Sequence, residues 1–446
     1  MLQLFFQDIL IFHLEKNIVN AILCSIYKIF NAYPGGYFVM NSRKLSWRSG
    51  APEKVSMVIA GDFCPREQNC DDLVSRVDEI TAQVKPFFDD ADFKILQWEC
   101  TVTRQDTPIP KGGPNHRCYP ECTVFATALG IDTVLLANNH TGDYGAPGVK
   151  DTLDAFDKLH INTVGAGMTE ADAARPLHLE KNGIKISILN SAEYEFGIAY
   201  GDTPGSYATD PIKLSAQIKA EKAAGFKVIV TLHGGHELYS YPTPRLRSLC
   251  RFCADCGADV VYNCHTHCPL GYEIYNNVPI IYSPGNFYFP NRPTSLPCWY
   301  IGYLPKFTLD ADGAFELELL PYYNRKQALG LMDDAETEQF FSYLDGLSAP
   351  ITDESALQKL FDAWCAAGGI NGYFGTLFNR PLPDTFENYG GKKANLGLRN
   401  LFTCQSHHDL LRNTLLLMER GQLKNAAELI PAIRAAQSPE WVNIKG

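Results

Sequence analysis

Seven polar residues of types that bind metal ions each follow a short apolar run of this chain. Runs rich in aliphatic and β-branched residues predict strands, so these polar residues are expected where strands end. A set that mixes carboxylate, carboxamide and imidazole groups suits borderline divalent ions such as zinc, manganese or iron, whereas an all-oxygen set favours magnesium or calcium. The residues are Asp62, Glu99, Asn139, His140, His233, His265 and His267.

The individual signals differ in strength. His265-x-His267 is the strongest, because alternate residues of an extended segment can turn two imidazoles toward adjacent metal positions; a surface histidine pair is the alternative. Glu99 follows the apolar run Phe93–Trp98, where a carboxylate close to a core needs either a metal or a salt-bridge partner. Asp62 is explained equally well by a cap at a turn or helix.

Two ions held side by side can clamp a phosphoryl oxygen, lower the pKa of a bridging water and stabilise an in-line displacement. This chemistry requires a bridging carboxylate, terminal imidazoles and an acid near the leaving group that binds no metal. The remaining histidines, His407 and His408 among them, lack a comparable context and are predicted to be ordinary. His116 lies near Lys111 in a loop rich in Gly and Pro and could visit the site.

The order of the apolar and helical segments predicts an α/β fold. Strands are predicted at Val55–Ala60, Phe93–Trp98, Thr133–Ala137, Lys185–Asn190, Val228–Leu232, Asp259–Asn263 and Pro279–Ser283. Helices are predicted between them at Asp71–Phe88, Glu121–Leu129, Gly148–Leu159, Ile212–Ala224 and Pro244–Cys256. Loops that leave parallel strands gather at one edge of a sheet, so the polar residues are expected to meet there.

Three segments are predicted along the chain: an N-terminal extension at 1–50, a metal-binding domain at 51–325 and a helical C-terminal subdomain at 326–446. The stretch Gly368–Asn400, rich in Gly, Pro and Asn, is interpreted as a long loop. The C-terminal subdomain is expected to support the fold or restrict access to the site rather than to supply ligands.

Composition narrows the class of protein. The formal net charge of −11, with no long block of either sign, argues against binding nucleic acid through a basic face. Fourteen scattered cysteines in a chain of this size favour reduced thiols and a cytoplasmic location. The run Cys250-x2-Cys253-x2-Cys256 could hold a metal, but its spacing on one helix face favours core packing.

The first 40 residues are apolar and aromatic, yet Asp8, Glu15 and Lys16 interrupt them before about 18 apolar residues accumulate. The segment also lacks the features of a signal peptide. An amphipathic helix that covers the domain or touches a membrane through residues 1–30, and an upstream extension before Met40, are both left open.

The ordered set of motifs resembles the CapA family of poly-γ-glutamate capsule-biosynthesis proteins, relatives of the calcineurin-like metallophosphatases. The matching stretches are VIAGDFCPRE, ILQWECTVT, VLLANNHTGDYGAPGV, TVGAGMTEADAARP, VIVTLHGGHE and GADVVYNCHTHCPLGYEIYNNVPIIYSPGNFYF. The resemblance implies a four-layer αββα sandwich with a dinuclear site for Mn, Fe or Zn. It also implies that Glu99 is the bridging ligand.

The resemblance further implies roles for residues beside the metal ligands. His140 would be the nearby acid, and Glu237 would line or support the site. Asp143, Gly285 and Asn286 would contact substrate or shape the rim of the site. One departure is that Asp62-Phe63-Cys64 replaces the Asp-x-His motif typical of metallophosphatases, which leaves the metal, its occupancy and phosphatase activity open.

Two functions are therefore expected. The first is a metal-dependent, phosphoesterase-like hydrolase that uses a metal-bound hydroxide on a small-molecule or polymer substrate, poly-γ-glutamate being one candidate. The alternative is a non-catalytic accessory or binding component of capsule polymer synthesis or export.

Overall fold

A computed structural model describes residues 41–290, 296–325, 328–369 and 393–442 of the chain. From Asn41 onward these residues form one compact unit. The predicted extension up to residue 40, with its candidate membrane contact, lies outside the described residues.

Strands and helices alternate through the first three quarters of the described chain, and helices follow. The strands are β1 (Arg43–Ser46), β2 (Val55–Phe63), β3 (Phe93–Trp98), β4 (Thr101–Val102), β5 (Arg117–Cys118), β6 (Thr133–Leu135), β7 (Asn162–Val164), β8 (Ala166–Gly167), β9 (Leu177–Lys181), β10 (Ile184–Ala192), β11 (Gly205–Ser206), β12 (Lys227–His233), β13 (Val260–Cys264), β14 (Tyr272–Tyr275), β15 (Val278–Ile281), β16 (Asn286–Tyr288), β17 (Ile301–Asp310), β18 (Gly313–Arg325) and β19 (Ala328–Leu331). The helices are α1 (Cys70–Thr81), α2 (Lys85–Asp89), α3 (Val124–Leu129), α4 (Gly145–Asp157), α5 (Glu170–Ala173), α6 (Pro211–Ala223), α7 (Pro244–Asp255), α8 (Asp334–Ser348), α9 (Glu354–Gly368), α10 (Lys393–Thr403), α11 (Gln405–Glu419), α12 (Leu423–Ala426) and α13 (Ile430–Gln437).

The strands form two large sheets. The first has the order β1-β18-β17-β2-β3-β6-β7, with β16 beside β2 and β19 beside β18; the second has the order β14-β15-β13-β12-β10-β9. Strands β2, β3, β6 and β7 are parallel, as are β10, β12, β13 and β15. The parallel strands of each sheet therefore end at a common edge.

The two sheets pack face to face. Met57 and Ile59 of the first sheet share a buried core with Ile186 and Ile188 of the second, because alternate residues of each strand point toward the partner sheet. Helices α6 and α7 cover the outer face of the second sheet, and Phe156 of α4 packs on Trp98 at the outer face of the first, with ring centroids 4.9 Å apart. The expected four-layer αββα sandwich is confirmed.

The first sheet extends beyond the predicted strands. Strand β1 pairs with β18 through Arg43↔Leu319, so residues 43–46, which we assigned to the N-terminal extension, belong to the sheet. Strands β17 and β18, which we did not predict, form an antiparallel hairpin that closes at Asp310↔Gly313. The hairpin adds the antiparallel edge of the sheet next to β2.

The C-terminal helices pack around Tyr239, a buried residue of the loop that follows β12. Phe361 of α9 and Leu410 of α11 belong to the same cluster. The interpretation of Gly368–Asn400 as a loop is wrong for its last part, because α10 begins at Lys393; residues 370–392 lie outside the described residues.

The cysteine run of α7 packs as predicted. Cys250 and Cys253 are fully buried among aliphatic side chains of the second sheet, and Cys256 lies at the margin of that cluster. Among the helices of the described residues, none combines the length and apolarity that crossing a bilayer requires.

Candidate metal centre

The six predicted metal ligands meet at the edge where the parallel strands of both sheets end. Asp62 ends β2, Glu99 follows β3 and Asn139 follows β6 in the first sheet, while His233 ends β12 in the second. His265 and His267 follow β13. All six side chains are buried, with at most 6% of any residue exposed.

Two close backbone contacts, each made possible by glycine, allow the six side chains to converge. A Cβ atom on Gly61 would lie 2.1 Å from the carbonyl oxygen of Gly285, so a side chain at 61 would push β2 away from the loop before β16. A Cβ on Gly142 would lie 2.5 Å from Cα of Gly197, and one on Gly197 would lie 2.8 Å from Cα of Gly142. The loop that carries Asn139 therefore touches the loop after β10 backbone to backbone.

The two histidines after β13 have unusual backbone conformations. His265 has φ of +98° and His267 has φ of +57°, values that residues with a side chain rarely adopt. The extended geometry expected for this segment is therefore wrong, although both imidazoles still converge. Strain of about 1–3 kcal/mol at each such position is typical of residues held in place for function.

Glu99 is common to two neighbouring groups of ligand atoms. One group is Asp62, Glu99 and His267; the other is Glu99, His233 and His265, and in each the ligand atoms lie within 4.8 Å of one another. Oε1 of Glu99 lies 3.5 Å from Nε2 of His233 and 3.7 Å from Nε2 of His267.

Asn139 completes the second group, with its Oδ1 3.2 Å from Nε2 of His233. Nδ1 of His265 lies 3.1 Å from the same nitrogen. Two ligands at about 2.0–2.2 Å from one ion lie roughly 3–4 Å apart, so these distances fit shared coordination. Cys264 also approaches, with Sγ 3.3 Å from Nδ1 of His233.

Three of the four carboxylate oxygens of Asp62 and Glu99 lack a hydrogen-bond partner within the part of the chain that the structure describes; the fourth, Oδ2 of Asp62, accepts from the His265 backbone N–H at 3.1 Å. Both side-chain oxygens of Glu99 and Oδ1 of Asp62 are buried and accept no hydrogen bond from any described residue. A buried carboxylate without a donor is costly, and a divalent cation removes that cost. The residues present therefore fit a divalent transition ion.

The directions of the pKa shifts at Glu99, Asp62 and His233 agree with metal binding. Burial raises the pKa of Glu99 well above its usual range, and the nearby charge of Asp62 adds to the effect. Burial alone would also raise the pKa of Asp62, but hydrogen bonding with His267 and the adjacent imidazoles hold it below its usual range. Burial and His265 lower the pKa of His233, which keeps that imidazole neutral and able to bind a metal.

Asn286 holds His267 in place. Nδ1 of His267 donates to Oδ1 of Asn286 at 2.9 Å, which directs Nε2 toward Glu99, and Nδ2 of Asn286 donates to the His267 carbonyl at 3.2 Å. Asn286 is fully buried. These contacts place it behind a ligand, and the predicted contact of Asn286 or Gly285 with substrate stays a prediction.

Replacing Asn286 with leucine is expected to weaken metal binding by about 10–100-fold, because His267 then lacks the acceptor that fixes its ring. Competition with a chromogenic chelator measures the change. Asn286→Asp keeps an acceptor for Nδ1 and should lose less affinity. Equal affinities for the two variants would show that the amide does not orient the ligand.

His140 belongs to a separate hydrogen-bonded group. Its Nδ1 donates to Oδ2 of Asp143 at 2.6 Å, while Lys111 Nζ donates to Oδ1 at 2.7 Å and the His116 backbone N–H donates to Oδ2 at 2.7 Å. Burial and the charge of Lys111 lower the pKa of His140 well below its usual range. Asp143 is fully buried behind His140, so its predicted contact with substrate also stays a prediction.

A cavity of about 410 Å³ lies against the centre. Asn139 and His140 reach it from the first sheet, Glu237 lines it from the loop after β12, and Leu401 of α10 lines it from the C-terminal region. His116 also lies close by, its ring centroid 4.3 Å from that of His140. The cavity is therefore lined by one candidate ligand, Asn139, and by the candidate acid, His140.

A family model described as bacterial capsule synthesis protein PGA_cap matches residues 56–291, more than half of the chain. The chain belongs to this family. The capsule biosynthesis protein CapA of Bacillus anthracis is 33% identical over 248 residues, which are 53% of this chain and 60% of that protein. The PGA biosynthesis protein CapA of Bacillus subtilis is 33% identical over 216 residues, 48% of this chain and 57% of that protein.

The chain thus matches less than two thirds of the length of these curated PGA_cap relatives. Among solved structures, a 5′-nucleotidase precursor from Thermus thermophilus is similar at 11% identity with a TM-score of 0.37, over 66% of this chain and 58% of that one.

Three residues of this PGA_cap chain that were not predicted as site residues also lie near the centre: Glu195, Cys404 and His407. Glu195 follows β10, and its Oε2 accepts a hydrogen bond from Nδ2 of Asn139 at 3.2 Å. Glu193 and Glu195 lie just past the predicted strand Lys185–Asn190. Polar residues after a strand are the same signal that predicted the other ligands. Cys404 and His407 form another ligand-type group with Glu195, although the C-terminal region was expected to supply no ligands.

Proposed function

We propose that this protein is a metal-dependent hydrolase that acts on a phosphoester or a related bond. The observation that carries the proposal is that Glu99 is shared by two adjacent groups of ligand atoms, beside a cavity that His140 also lines. Two divalent ions of the Mn, Fe or Zn type, when bound, would activate water and stabilise negative charge that develops on the substrate.

In this proposal, separate residues of the chain bind the ions, transfer a proton and orient the substrate. The carboxylates, Asn139 and the three histidines of the centre hold the ions, with Glu99 as the shared ligand. His140 offers Nε2 as the proton-transferring atom, because Nδ1 donates to Asp143; its lowered pKa leaves Nε2 unprotonated in the free protein, so the ring takes up the proton for the leaving group when an anionic substrate binds beside it. Glu237, which is exposed at the cavity wall, orients substrate next to the centre.

The proposal is tested by removing metals with a chelator and reloading with Mn²⁺, Fe²⁺ or Zn²⁺. We expect chelation to lower the melting temperature, since an ion at 100 times its Kd stabilises the folded state by about 2.7 kcal/mol. Reloaded protein should hydrolyse at least one of a phosphomonoester, a phosphodiester and a γ-glutamyl peptide, as followed by release of phosphate, alcohol or amine.

His267→Ala is the matched variant, and it should lose both metal of the Glu99 centre and activity. His408→Ala, which changes an exposed histidine of α11, should lose neither. The dinuclear centre would be ruled out by two results together. The wild type would melt at the same temperature with and without metal, and His267→Ala and His408→Ala would contain the same amount of metal.

A second candidate is an accessory component that binds the capsule polymer without cleaving it. The description of the family and the names of the relatives favour a role in capsule synthesis. The replacement of the Asp-x-His motif by Asp62-Phe63-Cys64 also favours it. Metal-loaded protein that binds poly-γ-glutamate tightly but turns over no compound of the panel would support this candidate.

We also propose the cytoplasm as the location of the protein. The described cysteines are free thiols, and most of them are buried, as is typical of proteins in a reducing compartment.

A further inference from the structure

Three ligand-type side chains form a further group at the edge of the Glu99 centre, where Oε1 of Glu195 also lies 3.8 Å from Nε2 of His265. Glu195, Cys404 and His407 bring a carboxylate oxygen, a thiol sulfur and an imidazole nitrogen within 4.8 Å of one another. Sγ of Cys404 lies 3.8 Å from Oε1 of Glu195, and Nε2 of His407 lies 3.9 Å from the same oxygen. Cys404 is fully buried, and Glu195 is nine-tenths buried.

The group joins two distant parts of the chain. Cys404 directly precedes α11 and His407 lies in its first turn, so their spacing of three residues turns both side chains toward the end of β10. His236, in the loop after β12, packs against His407 with ring centroids 6.1 Å apart. His407 is therefore held by packing against the loop that follows β12.

The contacts that the group makes are of two kinds. The Cys404 thiol donates a hydrogen bond to Oε2 of Glu193 at 3.4 Å, and this bond accounts for the position of the thiol. The separation of 3.9 Å between His407 and Glu195 is too long for a hydrogen bond. Ligands held at about 2.0–2.3 Å from one ion lie roughly 3.3–4 Å apart, which matches both separations to Glu195.

We propose that Glu195, Cys404 and His407 bind a further divalent ion of the zinc type, separate from the ions around Glu99. Sulfur, nitrogen and oxygen donors together select zinc over harder ions such as magnesium. Glu195 and His407 also line the cavity, so the fourth coordination position faces it and accepts water or an anionic group of a substrate.

This ion would fasten the C-terminal helices to the sheet edge. It would also hold Glu195, whose Oε2 accepts from Nδ2 of Asn139 and so turns Oδ1 of that amide toward His233. The proposal does not depend on hydrolysis, and it holds equally for an accessory binding protein.

Cobalt(II), titrated into the full-length metal-free protein, is the probe, because thiolate ligation gives a charge-transfer absorption in the near ultraviolet that N and O ligands do not give. We expect this absorption in the wild-type protein and in His267→Ala, which disables the Glu99 centre. Cys404→Ser should lose the absorption and one ion per chain. Cys264→Ser, which removes the thiol beside His233, should keep it.

The same titration with His407→Gln should show an affinity for cobalt at least about tenfold lower, the loss seen even for outer-shell partners. His408→Gln, on the exposed side of the same helix, should bind as the wild type does. X-ray absorption on the zinc-loaded protein should detect one sulfur at about 2.3 Å.

The proposal is overturned if the absorption persists in Cys404→Ser, or if it disappears in His267→Ala, because the sulfur ligand would then belong to the Glu99 centre. It is also overturned if the zinc-loaded wild type shows no sulfur ligand. Should Cys404→Ser fail to fold, the two α11 histidine variants decide: equal cobalt affinities would overturn the proposal.

Discussion

Replacing His140 with glutamine is expected to lower turnover by about 10²–10⁴-fold while the metal content of the protein stays at the wild-type level. His140 contacts Asp143 through Nδ1 at 2.6 Å and belongs to neither group of ligand atoms around Glu99. Its second ring nitrogen is not committed to Asp143, and it acts as the acid once a bound anionic substrate has raised the pKa of the ring from its lowered value in the free protein. Glutamine retains polarity at this position but cannot transfer a proton.

Elemental analysis and steady-state rates on the substrate found by screening measure the two effects separately. Asp143→Asn should reproduce part of the loss, because the amide no longer accepts in the same way from Nδ1 and the ring loses its fixed tautomer. His178→Gln makes the same substitution at an exposed imidazole that pairs with Glu221, and it should leave the rate unchanged. A wild-type rate in His140→Gln would refute its role as the acid.

Replacing Glu99 with glutamine is expected to change stability in opposite directions with and without metal. In the metal-free protein the variant should be more stable than the wild type by about 1–3 kcal/mol, because both oxygens of the buried Glu99 carboxylate lack a hydrogen-bond donor among the described residues. With metal ions present, the wild type should be the more stable protein, since glutamine removes the ligand common to both ion positions.

Thermal or denaturant unfolding with chelator and with saturating Mn²⁺ or Zn²⁺ tests this reversal. Asp310→Asn is the control, because Asp310 is also buried but accepts two hydrogen bonds from Arg48, at 2.6 and 2.7 Å. That change should destabilise the protein by about 2 kcal/mol in both conditions. A metal-free Glu99→Gln that is less stable than the metal-free wild type would mean that the carboxylate serves the fold rather than an ion.

The sequence predicted the elements that carry the centre because parallel strands impose a simple geometry. Asp62, Glu99 and His233 each end an apolar run, and ends of parallel strands share one edge. The hairpin of β17 and β18 was predictable too, since Asp312-Gly313 between alternating apolar residues is a strong hairpin signal that was passed over.

Other features were beyond the reach of sequence patterns. The positive φ angles of His265 and His267 depend on how the two sheets meet, not on local preference. The approach of Cys404 to Glu195 joins residues 209 positions apart, and no spacing rule covers that distance. Helix α10 was missed because Gly and Asn nearby suggested a loop, whereas helix-forming residues such as Leu398 and Arg399 prevail.

The close approach of Gly142 and Gly197 limits how the loops that carry Asn139 and Glu195 can change. No side chain separates the two loops, and an added Cβ on either glycine would meet backbone at 2.8 Å or closer. Substitution at single positions therefore cannot widen or narrow the gap by degrees, as it can where side chains of different size face each other. A change in the spacing of these loops therefore requires movement of a whole loop, whereas the cavity is lined by side chains, Leu401 of α10 among them, that can be exchanged one at a time.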